Sequence, residues 1–579
     1  MQRLFLFATF LSLFGLSAFV HAQDAPASAP PALQTNTEKA VAAHESAIQF
    51  EDAGDKAGID FTHSFGSAQL GSLLEGTGAG CVWFDYDNSG RESLYVVNGR
   101  PLDDSMHPHP LKIKPDPLPH NHLYRNEGNG RFTDVTGKAG LNPDIYGMAV
   151  TAADYDNDGN VDLFVTGYGK VILYHNDGNG HFTDVTEKAG IKVDGWAISS
   201  TWIDYDRDGC IDLFVGRYVK FDPRYRAYYA ADNYPGPLDY EGETNKLFHN
   251  NCDGTFTDVS EKSGISNYIG RTMGVTAADF DGDGWDDIYV ANDRTENFLF
   301  HNKHDGTFDE IANDTGTAYG QNGESTSSMG PVFADFDGRG MLDLWVTDGH
   351  YNRLLRNTGK SAFDDLGATN GVSQANAQYV SWGTGVYDYD NDGILDILIF
   401  HGGLIHLIPQ EHTLFRGLGS DQYKDVSREA GSVLNIRSVA RGACFADYDN
   451  DGKIDAFLVN LGARGKLVHN ISANTGHWLA IKLIGAMHPG DPGKAAGSPD
   501  AKSNRQGIGA RVEVFAGGKR WMEERVAESG YLSQNDERLH FGLGSAAAVD
   551  KIVVHWPSGR EQILEKQSVD RVLTIEEPR

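Results

Sequence analysis

Asp154-Tyr-Asp-Asn-Asp-Gly-Asn-Val-Asp162 is followed directly by the apolar run Leu163-Phe-Val165, and this phrase recurs along the chain. Further full copies begin at Asp204, Asp279, Asp388 and Asp447, and weaker copies begin at Asp85 and Asp335. Successive copies start 50 to 75 residues apart, a spacing that suits one four-stranded propeller blade with variable loops. The seven copies predict an all-β fold whose main part is a seven-bladed β-propeller.

A second phrase follows each acidic one and is typical of hairpins around Gly-rich turns. Val171-Ile-Leu-Tyr-His-Asn176 with the turn and strand from Gly178 to Thr186 is one example. Each repeat therefore reads as four strands, with the acidic loop between the first and the second. The last copy ends after 466–470 and lacks a fourth strand, whereas 49–59 is an isolated copy of that strand. We predict that the N-terminal strand completes the last blade and closes the ring, which removes two exposed sheet edges.

The acidic loop has the ligand chemistry of a calcium site. Asp occupies positions 1, 3, 5 and 9 of each full copy, and Gly at position 6 permits the sharp turn. A hard dication takes about six to eight oxygens, which these carboxylates, the carbonyl at position 7 and water can supply. The loop is not an EF-hand, because an aliphatic residue stands at position 12 and strands flank it. Neither His nor Cys joins the phrase, which favours calcium over zinc or copper. The alternative is that Asp, Asn and Gly only form turns.

We expect about five to seven Ca²⁺ ions with a mainly structural role, joining the first strand of a blade to the second. The predicted ligands of the five full loops are Asp154, Asp156, Asp158, Asp162, Asp204, Asp206, Asp208, Asp212, Asp279, Asp281, Asp283, Asp287, Asp388, Asp390, Asp392, Asp396, Asp447, Asp449, Asp451 and Asp455. The weaker candidates are Asp85, Asp87, Asp335, Asp337 and Asp343. Ser89 and Ser93 interrupt the first loop, and Arg339 stands in the fifth, where its guanidinium could occupy the cation's place.

Composition and the N-terminus bear on compartment and partners. The net charge of −32, from 49 basic and 81 acidic residues, opposes binding to nucleic acid or anionic membranes. The apolar run 4–20 and Val20-His21-Ala22 predict a signal peptide (1–22) cleaved after Ala22, followed by a flexible leader over 23–47. No later stretch approaches ~20 consecutive apolar residues, so no membrane insertion is expected. These features favour a secreted or periplasmic protein, in which a disulfide between Cys210 and Cys252 of one blade is plausible.

The acidic loop between strands resembles the FG-GAP/VCBS repeats of the integrin α-subunit propeller. The phrases from Asn504 to Val512, Ser529 to Asn535, Leu539 to Gly544 and His555 to Gly559 are similar to the ASPIC/UnbV domain, although His555 stands where that domain is expected to have Arg. Together they resemble the cartilage acidic protein 1 family. The resemblance implies an extracellular, calcium-binding protein without an established catalytic residue set.

The C-terminal segment also reads as a β domain without the resemblance. Alternating or β-branched runs at 478–484, 510–515, 551–556 and 572–575 favour strands of a small β-sandwich. The predicted domains are therefore the propeller over 48–470 and an ASPIC/UnbV domain over 471–579.

In a four-stranded meander the acidic loops and the turns between the third and fourth strands share one side. The connections from the second strand to the third, and from the fourth strand to the next unit, share the opposite side. The long connections there are 101–120, 218–240 with seven aromatic residues, and 312–328. A ligand site is predicted where residues after the second strands ring the channel, at Arg100, Tyr218, Asn292, Arg294, Asp348, His350 and His401. The alternative, that these residues only cap loops, stays open. His107, His109, His120 and His122 either bind a transition metal or belong to a solvated loop.

Two functions remain after this reading. The first is a binding, cell-adhesion or scaffold module with an unidentified protein or carbohydrate ligand, favoured because no nucleophile–base pair stands out. The second is an extracellular enzyme acting on polysaccharide or another substrate bound opposite the calcium loops, since a propeller fold does not decide function. No catalytic residue is assigned.

Overall fold

Antiparallel four-stranded sheets make up most of the protein. The computed structural model describes residues 48–102, 111–225, 234–359, 362–404 and 407–579. These residues form an all-β fold with only short helices, so the predicted propeller with a C-terminal β domain is confirmed, and seven stays the predicted number of blades. None of the helices in these ranges is long and apolar enough to cross a bilayer.

The strands fall into four-stranded units in chain order. After β1 (Phe50–Asp52), the first two units are β2 (Cys81–Phe84), β3 (Ser93–Val96), β4 (His122–Asn126) and β5 (Phe132–Asp134), then β6 (Tyr146–Ala153), β7 (Asp162–Tyr168), β8 (Ile172–Asn176) and β9 (Phe182–Asp184). The third consists of β10 (Ala197–Ile203), β11 (Asp212–Arg217), β13 (Lys246–Asn250) and β14 (Phe256–Asp258), with a short ribbon of β12 (Glu243–Thr244) and β15 (Ile269–Gly270) beside it.

The later units follow the same order. The fourth and fifth are β16 (Thr272–Ala278), β17 (Asp287–Thr295), β18 (Phe298–Asn302) and β19 (Phe308–Glu310), then β20 (Thr326–Ala334), β21 (Asp343–Asp348), β22 (Arg353–Asn357) and β23 (Phe363–Asp365). The sixth and seventh are β24 (Ser381–Tyr387), β25 (Asp396–His401), β26 (Thr413–Gly419) and β27 (Gln422–Asp425), then β28 (Ala440–Ala446), β29 (Asp455–Asn460) and β30 (Lys466–Asn470). The short helices are α1 (Gly54–Ala57), α2 (Leu73–Thr77), α3 (Thr136–Ala139), α4 (Ala312–Thr315), α5 (Val372–Asn376) and α6 (Ser432–Asn435), with 3₁₀ turns at Pro237–Asp239 and Ile265–Asn267.

The units are arranged around a channel. Their first strands contact one another in the order β2, β6, β10, β16, β20, β24 and β28, and β28 contacts β2. The N-terminal strand β1 pairs with β30, with Phe50 opposite Asn470 and Asp52 opposite Val468, so it serves as the fourth strand of the seventh unit. Hydrophobic cores lie between neighbouring units, as where Val82 and Tyr95 of the first pack with Val150 and Val165 of the second. Because each unit buries its faces against its neighbours, the sheets stabilise one another.

An asparagine at the end of the third strand joins six of the units to the preceding one. Asn250 Nδ2 donates to the carbonyl of Tyr155 in the second unit (2.8 Å) and to that of Ile211 in its own loop (2.9 Å). Corresponding bonds from Asn126, Asn176, Asn302, Asn357 and Asn470 reach Tyr448, Tyr86, Tyr205, Phe280 and Tyr389. In the sixth unit Gly417 occupies this position, so the seam between the fifth and sixth units has no such side-chain amide.

The C-terminal domain contains two sheets around one core. Its strands are β31 (His477–Ile484), β32 (Arg511–Ala516), β33 (Lys519–Glu524), β34 (Leu539–Gly544), β35 (Val549–His555), β36 (Glu561–Gln567) and β37 (Arg571–Glu576). One sheet has the order β34-β31-β37, and the other has the order β33-β32-β35-β36. Leu479, Val514, Ile552 and Trp556 belong to the buried core that they share.

Residues 524–538 leave this domain and enter the propeller channel. They contact first strands around the ring: Ser199 and Thr276 bond Glu528, Gly530 bonds Pro331, the ring of Tyr531 packs on Trp382, Ser533 bonds Cys81, Gln534 bonds Ala152, and Asn535 bonds Phe445. Tyr531 and Leu532 are fully buried in an apolar cluster with Met148 and Trp196. The channel is therefore filled by the C-terminal domain, which the sequence did not predict.

Candidate metal centres

The acidic loop between β6 and β7 shows how a full copy folds. The Asp154 carboxylate accepts hydrogen bonds from the backbone N–H groups of Asp158 (2.9 Å) and Gly159 (2.8 Å), so position 1 holds the turn closed. Asp162, at position 9, is fully buried and accepts from the N–H of Asn176 at 2.7 Å. Carboxylate oxygens at positions 1, 3 and 5 of this loop lie within 4.8 Å of one another. The predicted ligands of this loop are thus brought together.

A histidine on the third strand faces the loop in four of the units. His175 Nδ1 lies 3.4 Å from Asp156 Oδ2 and 3.3 Å from Asp162 Oδ1. The equivalent contacts to position 9 are His249 with Asp212 (3.1 Å), His301 with Asp287 (3.0 Å) and His469 with Asp455 (3.0 Å). The acidic phrase of these four loops contains no histidine, and pairing of the second and third strands places the imidazole over the loop. In the sequence, these histidines can be recognised by the His-Asn pair that ends each of the four third strands.

Arginine replaces this histidine in the first, fifth and sixth units, as Arg125, Arg356 and Arg416. The fifth loop also contains Arg339 within its own sequence. Arg125 Nε lies 2.9 Å from Asp87 Oδ2 in the first loop. In the fifth loop the Arg339 guanidinium contacts Asp337 and reaches Asp343 at 3.2 Å, so it bridges positions 3 and 9. A guanidinium therefore supplies positive charge in both of the loops that depart from the sequence pattern.

The sixth loop also contains an arginine, although its sequence is complete. Arg416 Nη2 lies 2.8 Å from Asp390 Oδ2 and 3.0 Å from Asp392 Oδ2, at positions 3 and 5. Arg416 comes from β26, some 20 residues after the loop, so the loop sequence alone does not reveal it. This contact separates the sixth loop from the other four full copies.

Unpartnered buried oxygens show that the histidine-bearing loops fit a dication. Asp156 Oδ1, Asp206 Oδ1, Asp287 Oδ2 and Asp455 Oδ2 are buried and have no hydrogen-bond partner among the described residues. Leaving a buried carboxylate oxygen without a partner is costly, and a hard cation satisfies such oxygens. Asp87 and Asp335 carry similar oxygens in the first and fifth loops. Several acidic clusters of this protein can therefore hold metal ions.

Burial raises the pKa of the position 9 carboxyl groups. It brings the pKa of Asp287 to about 8 and that of Asp455 to about 7, even though hydrogen bonds from His301 and His469 act in the opposite direction. The hydrogen bond with Asp162 raises the pKa of His175 to about 9. A bound dication would favour the ionised carboxylates and release protons.

The third loop carries a covalent link. Cys210, at its position 7, forms a disulfide with Cys252 in the turn between β13 and β14 of the same unit. The sequence made this bond plausible, and the structure contains it. Cys81 and Cys444 are free and buried.

The C-terminal domain lies against the acidic loops. The hydrogen bonds that join the two parts include those of Asn157 Oδ1 with the N–H of Arg505 (2.7 Å), the Asp208 carbonyl with the N–H of Lys494 (2.9 Å), the Gly393 carbonyl with Trp521 Nε1 (3.0 Å) and the Asp447 carbonyl with Arg538 Nη2 (2.8 Å). The acidic loops are thus interdomain contacts as well as turns. An ordered conformation of these loops therefore stabilises the packing of the C-terminal domain against the propeller.

The seven residues predicted to ring the channel do not converge on one site. Asn292 and His401 are fully buried, Tyr218 and Asp348 are nearly so, and Arg100 is half-buried, whereas Arg294 and His350 are exposed. Among the described residues, two of these seven are joined by a hydrogen bond, from the His350 N–H to Asp348 Oδ1 (2.8 Å).

Local roles explain the buried members of this set. Asn292 caps its own connection through the N–H of Arg271 (3.1 Å) and the carbonyl of Glu296 (2.7 Å). His401 bonds Ser381 (3.2 Å) and Thr413 (3.0 Å), and burial lowers its pKa to about 3. Asn292 therefore caps a connection, and His401 bonds side chains of the neighbouring strands β24 and β26.

The connection 218–240 is described at 218–225 and 234–240, and part of it packs into an apolar cluster. Tyr218, Tyr234 and Tyr240 are buried in the cluster that contains Trp196, whereas Tyr225 remains exposed. The three buried tyrosines therefore pack their apolar area within the protein.

The paired histidines are only partly described. His107 and His109 lie outside the described residues, while His120 stacks on His122 with ring centroids 4.4 Å apart. His122 Nδ1 lies 2.7 Å from Asp134, so its ring already has a polar partner.

Comparison with family models agrees with this division of the chain. Residues 500–579 match the family described as ASPIC and UnbV. The FG-GAP-like repeat matches residues 114–165, 154–215, 236–290, 279–346 and 335–399. The chain therefore contains FG-GAP-like repeats and an ASPIC and UnbV domain.

Curated relatives share part of this sequence. Cartilage acidic protein 1 of Homo sapiens is 26% identical over 315 residues, which cover 52% of this chain and 43% of that protein. The Mus musculus protein of the same name is 26% identical over 316 residues, covering 52% and 44%. The chain thus spans less than half the length of the curated relatives it matches.

Solved structures show weaker similarity. An Agrocybe aegerita lectin, described as recognising non-reducing terminal N-acetylglucosamine, has 16% identity and a TM-score of 0.35, with 66% of this chain and 86% of the lectin covered. BBS1N in complex with ARL6DN has 8% identity and a TM-score of 0.37, with 70% and 97% covered.

Proposed function

We propose that this protein of FG-GAP-like repeats and an ASPIC and UnbV domain is an exported, calcium-stabilised scaffold that binds a protein partner. The partner contacts the connections on the side opposite the acidic loops. Calcium has a structural role, because it orders loops that join strands within a unit and also contact the C-terminal domain.

Calcium binds in the second, third, fourth and seventh loops. Each offers carboxylates at positions 1, 3, 5 and 9, and each contains a buried carboxylate oxygen without a partner among the described residues. Most of the donors are oxygens, which suits calcium better than a softer metal. In the sixth loop the guanidinium of Arg416 competes with the cation, and Arg125 and Arg339 do so in the first and fifth. We therefore expect tight binding in four loops and weaker binding in the others.

The exposed apolar side chains carry the binding proposal. Of the 12 large hydrophobic residues that are exposed in the described part of the chain, eight lie on connections between the second and third or the fourth and first strands: Ile113, Tyr225, Leu238, Ile269, Tyr351, Leu404, Ile408 and Ile436. These connections share the side away from the acidic loops. Exposed aliphatic groups are unfavourable in water, and a concentration of them is typical of a protein-binding surface.

Surface variants test this assignment. Ile113→Ser with Leu238→Ser should weaken capture of a partner from an array of extracellular proteins, with wild-type protein as the reference. Leu418→Ser with Ile563→Ser is the matched control, because those exposed side chains lie near the end of β26 and on β36 of the C-terminal domain. Equal loss of capture by both pairs, or binding to a glycan array only, would contradict a protein-binding connection face.

Export is tested separately. The predicted signal peptide and leader lie outside the described residues. Protein sequencing of exported material should give Gln23 as the first residue, and intact Met1 would contradict the proposal.

A further inference from the structure

A cavity lies between the fifth unit, the sixth unit and the C-terminal domain. Its volume is about 400 Å³, which is within the range of small-molecule sites. The ends of β20 and β24 form the propeller wall, and β33, residues 525–529 and β34 form the other wall. The cavity adjoins the seam where Gly417 replaces the bridging asparagine. We call it the interdomain cavity.

Buried polar atoms without partners line this cavity. Arg525 Nε and Nη2, Glu524 Oε2, Glu528 Oε2 and His540 Nδ1 have no hydrogen-bond partner among the described residues. Their side chains are well buried: Arg525 is 3% exposed, Glu528 0% and Glu524 7%. Folded proteins pair most buried polar atoms with protein, water or ligand. Several such atoms around one space indicate that a bound molecule completes their hydrogen bonding.

The two glutamates are held in place by their other oxygens. Glu524 Oε1 accepts from the backbone N–H of Asp279 at 2.8 Å. Glu528 Oε1 accepts from Ser199 Oγ at 3.0 Å. Each carboxylate is therefore anchored to the propeller while its second oxygen remains available. Such preorganisation reduces the entropy lost on binding.

We propose that the interdomain cavity binds a small uncharged polyhydroxyl compound of about monosaccharide size. The ligand must accept hydrogen bonds from Arg525 and donate them to Glu524 and Glu528, and a hydroxyl group does both. The adjacent Nε and Nη2 groups of Arg525 form a fork that suits two neighbouring oxygens. A carboxylate ligand would be repelled by the glutamates, and a metal ion offers no acceptor atom for the N–H groups of Arg525.

Apolar residues complete the lining. Val332, Phe336 and Trp521 contribute to the cavity wall. Aromatic and aliphatic surface beside polar groups suits the C–H faces and hydroxyl edges of a sugar or cyclic polyol. The cavity adjoins the acidic loops, because Glu524 accepts from the N–H of Asp279 in the fourth, and Asp335 and Asp388 of the fifth and sixth line it. None of the eight exposed apolar residues on the connections lines it.

Calorimetry on the full-length, calcium-loaded protein tests the proposal. The probes are D-glucose, D-galactose, N-acetyl-D-glucosamine and myo-inositol, with glycine and L-serine as zwitterionic comparisons. At least one polyhydroxyl probe should bind, and Glu528→Gln and Arg525→Lys should each weaken it by about tenfold or more. Glu565→Gln and Arg437→Lys are matched controls at exposed positions and should leave the affinity unchanged.

A substitution at the exposed entrance of the cavity keeps the proposal testable if the variants at buried positions misfold. Lys519 is exposed and lines the cavity, so Lys519→Trp should fold normally and weaken binding by obstructing entry. Lys424→Trp, at an exposed position of β27, is its control. Failure of every polyhydroxyl probe to bind folded protein overturns the proposal, as does tight binding of glycine or serine alone. Undiminished binding by both Glu528→Gln and Lys519→Trp would also overturn it.

Discussion

Gln534 and Ala152 exchange two hydrogen bonds inside the propeller channel. The Ala152 N–H donates to Gln534 Oε1 at 2.7 Å, and Gln534 Nε2 donates to the Ala152 carbonyl at 2.9 Å. The backbone N–H of Gln534 also donates to the carbonyl of Cys81 at 3.0 Å. The amide side chain of Gln534 thus satisfies backbone groups at the edge of β6 that faces the channel, where no neighbouring strand is present to do so. The C-terminal domain is consequently part of the propeller core.

Gln534→Ala should destabilise the whole protein. The substitution removes both bonds and leaves the buried N–H and carbonyl of Ala152 without partners, at a cost of about 2–4 kcal/mol. Urea denaturation followed by tryptophan fluorescence measures the change. Gln321→Ala, at an exposed loop position, should change the free energy of unfolding by less than about 0.5 kcal/mol. Equal midpoints for Gln534→Ala and wild type would rule out a structural role for this pair.

Asn250→Ala should loosen the seam between the second and third units. It removes the donor to Tyr155 and Ile211, leaving two buried carbonyls unpaired, so we expect a loss of about 2–3 kcal/mol. The adjacent Asn251 is exposed and bonds only within its turn, which makes Asn251→Ala the natural control. Hydrogen exchange should rise at strands of both units in Asn250→Ala only. Exchange confined to the third unit would argue against coupling across the seam.

Calcium removal should lower the thermal midpoint. With calcium at about 100 times its Kd, each site adds about 2.7 kcal/mol to the free energy of unfolding. Plasma mass spectrometry should find about four tightly bound calcium ions per chain, and Asp206→Asn should remove one. Asp55→Asn, at an exposed position, is the control. A metal-free protein with an unchanged melting temperature after chelation would disprove the calcium assignment.

Acid should weaken the contact between Glu537 and Lys482, whose Oε1 and Nζ lie 2.5 Å apart. Burial alone would raise the pKa of Glu537, but Lys482 and Arg525 outweigh it and lower the pKa from 4.5 to about 2. A group with a depressed folded-state pKa stabilises the protein above its unfolded pKa, and this contribution is lost as the pH falls from 4.5 towards 2. The contribution is about 3 kcal/mol.

The measurement is the difference in unfolding free energy between wild type and Glu537→Gln over this pH range, with both proteins free of calcium. The other carboxyl groups titrate in both proteins, so their contributions to the unfolding free energy largely cancel in this difference. Wild type should lose more stability than the variant on acidification. Parallel pH profiles would contradict the assigned shift.

The cysteines should differ in reactivity. Alkylation of unfolded protein without reduction should label Cys81 and Cys444 only, and reduction should add Cys210 and Cys252. Intact-mass spectrometry counts the labels. Labelling of all four cysteines without reduction would exclude the disulfide.

Local, repeated patterns made much of this protein predictable from its sequence. Asp154 to Asp162 and the following Leu163-Phe-Val165 specify a turn and a strand through neighbouring residues alone, and repetition identifies the propeller. The isolated strand at 50–52 was recognisable because the last repeat lacks it. These features depend on contacts within one unit or on counting units.

Only the tertiary structure decided what faces the acidic loops and what fills the channel. His175 and Arg416 reach their loops from another strand, Asn250 bonds a different unit, and Gln534 meets Ala152 across 382 residues of sequence. Such contacts depend on how the sheets close around the channel and on where the last domain packs. No local periodicity encodes those relationships, because they arise only when distant segments compete to bury the same polar and apolar surface.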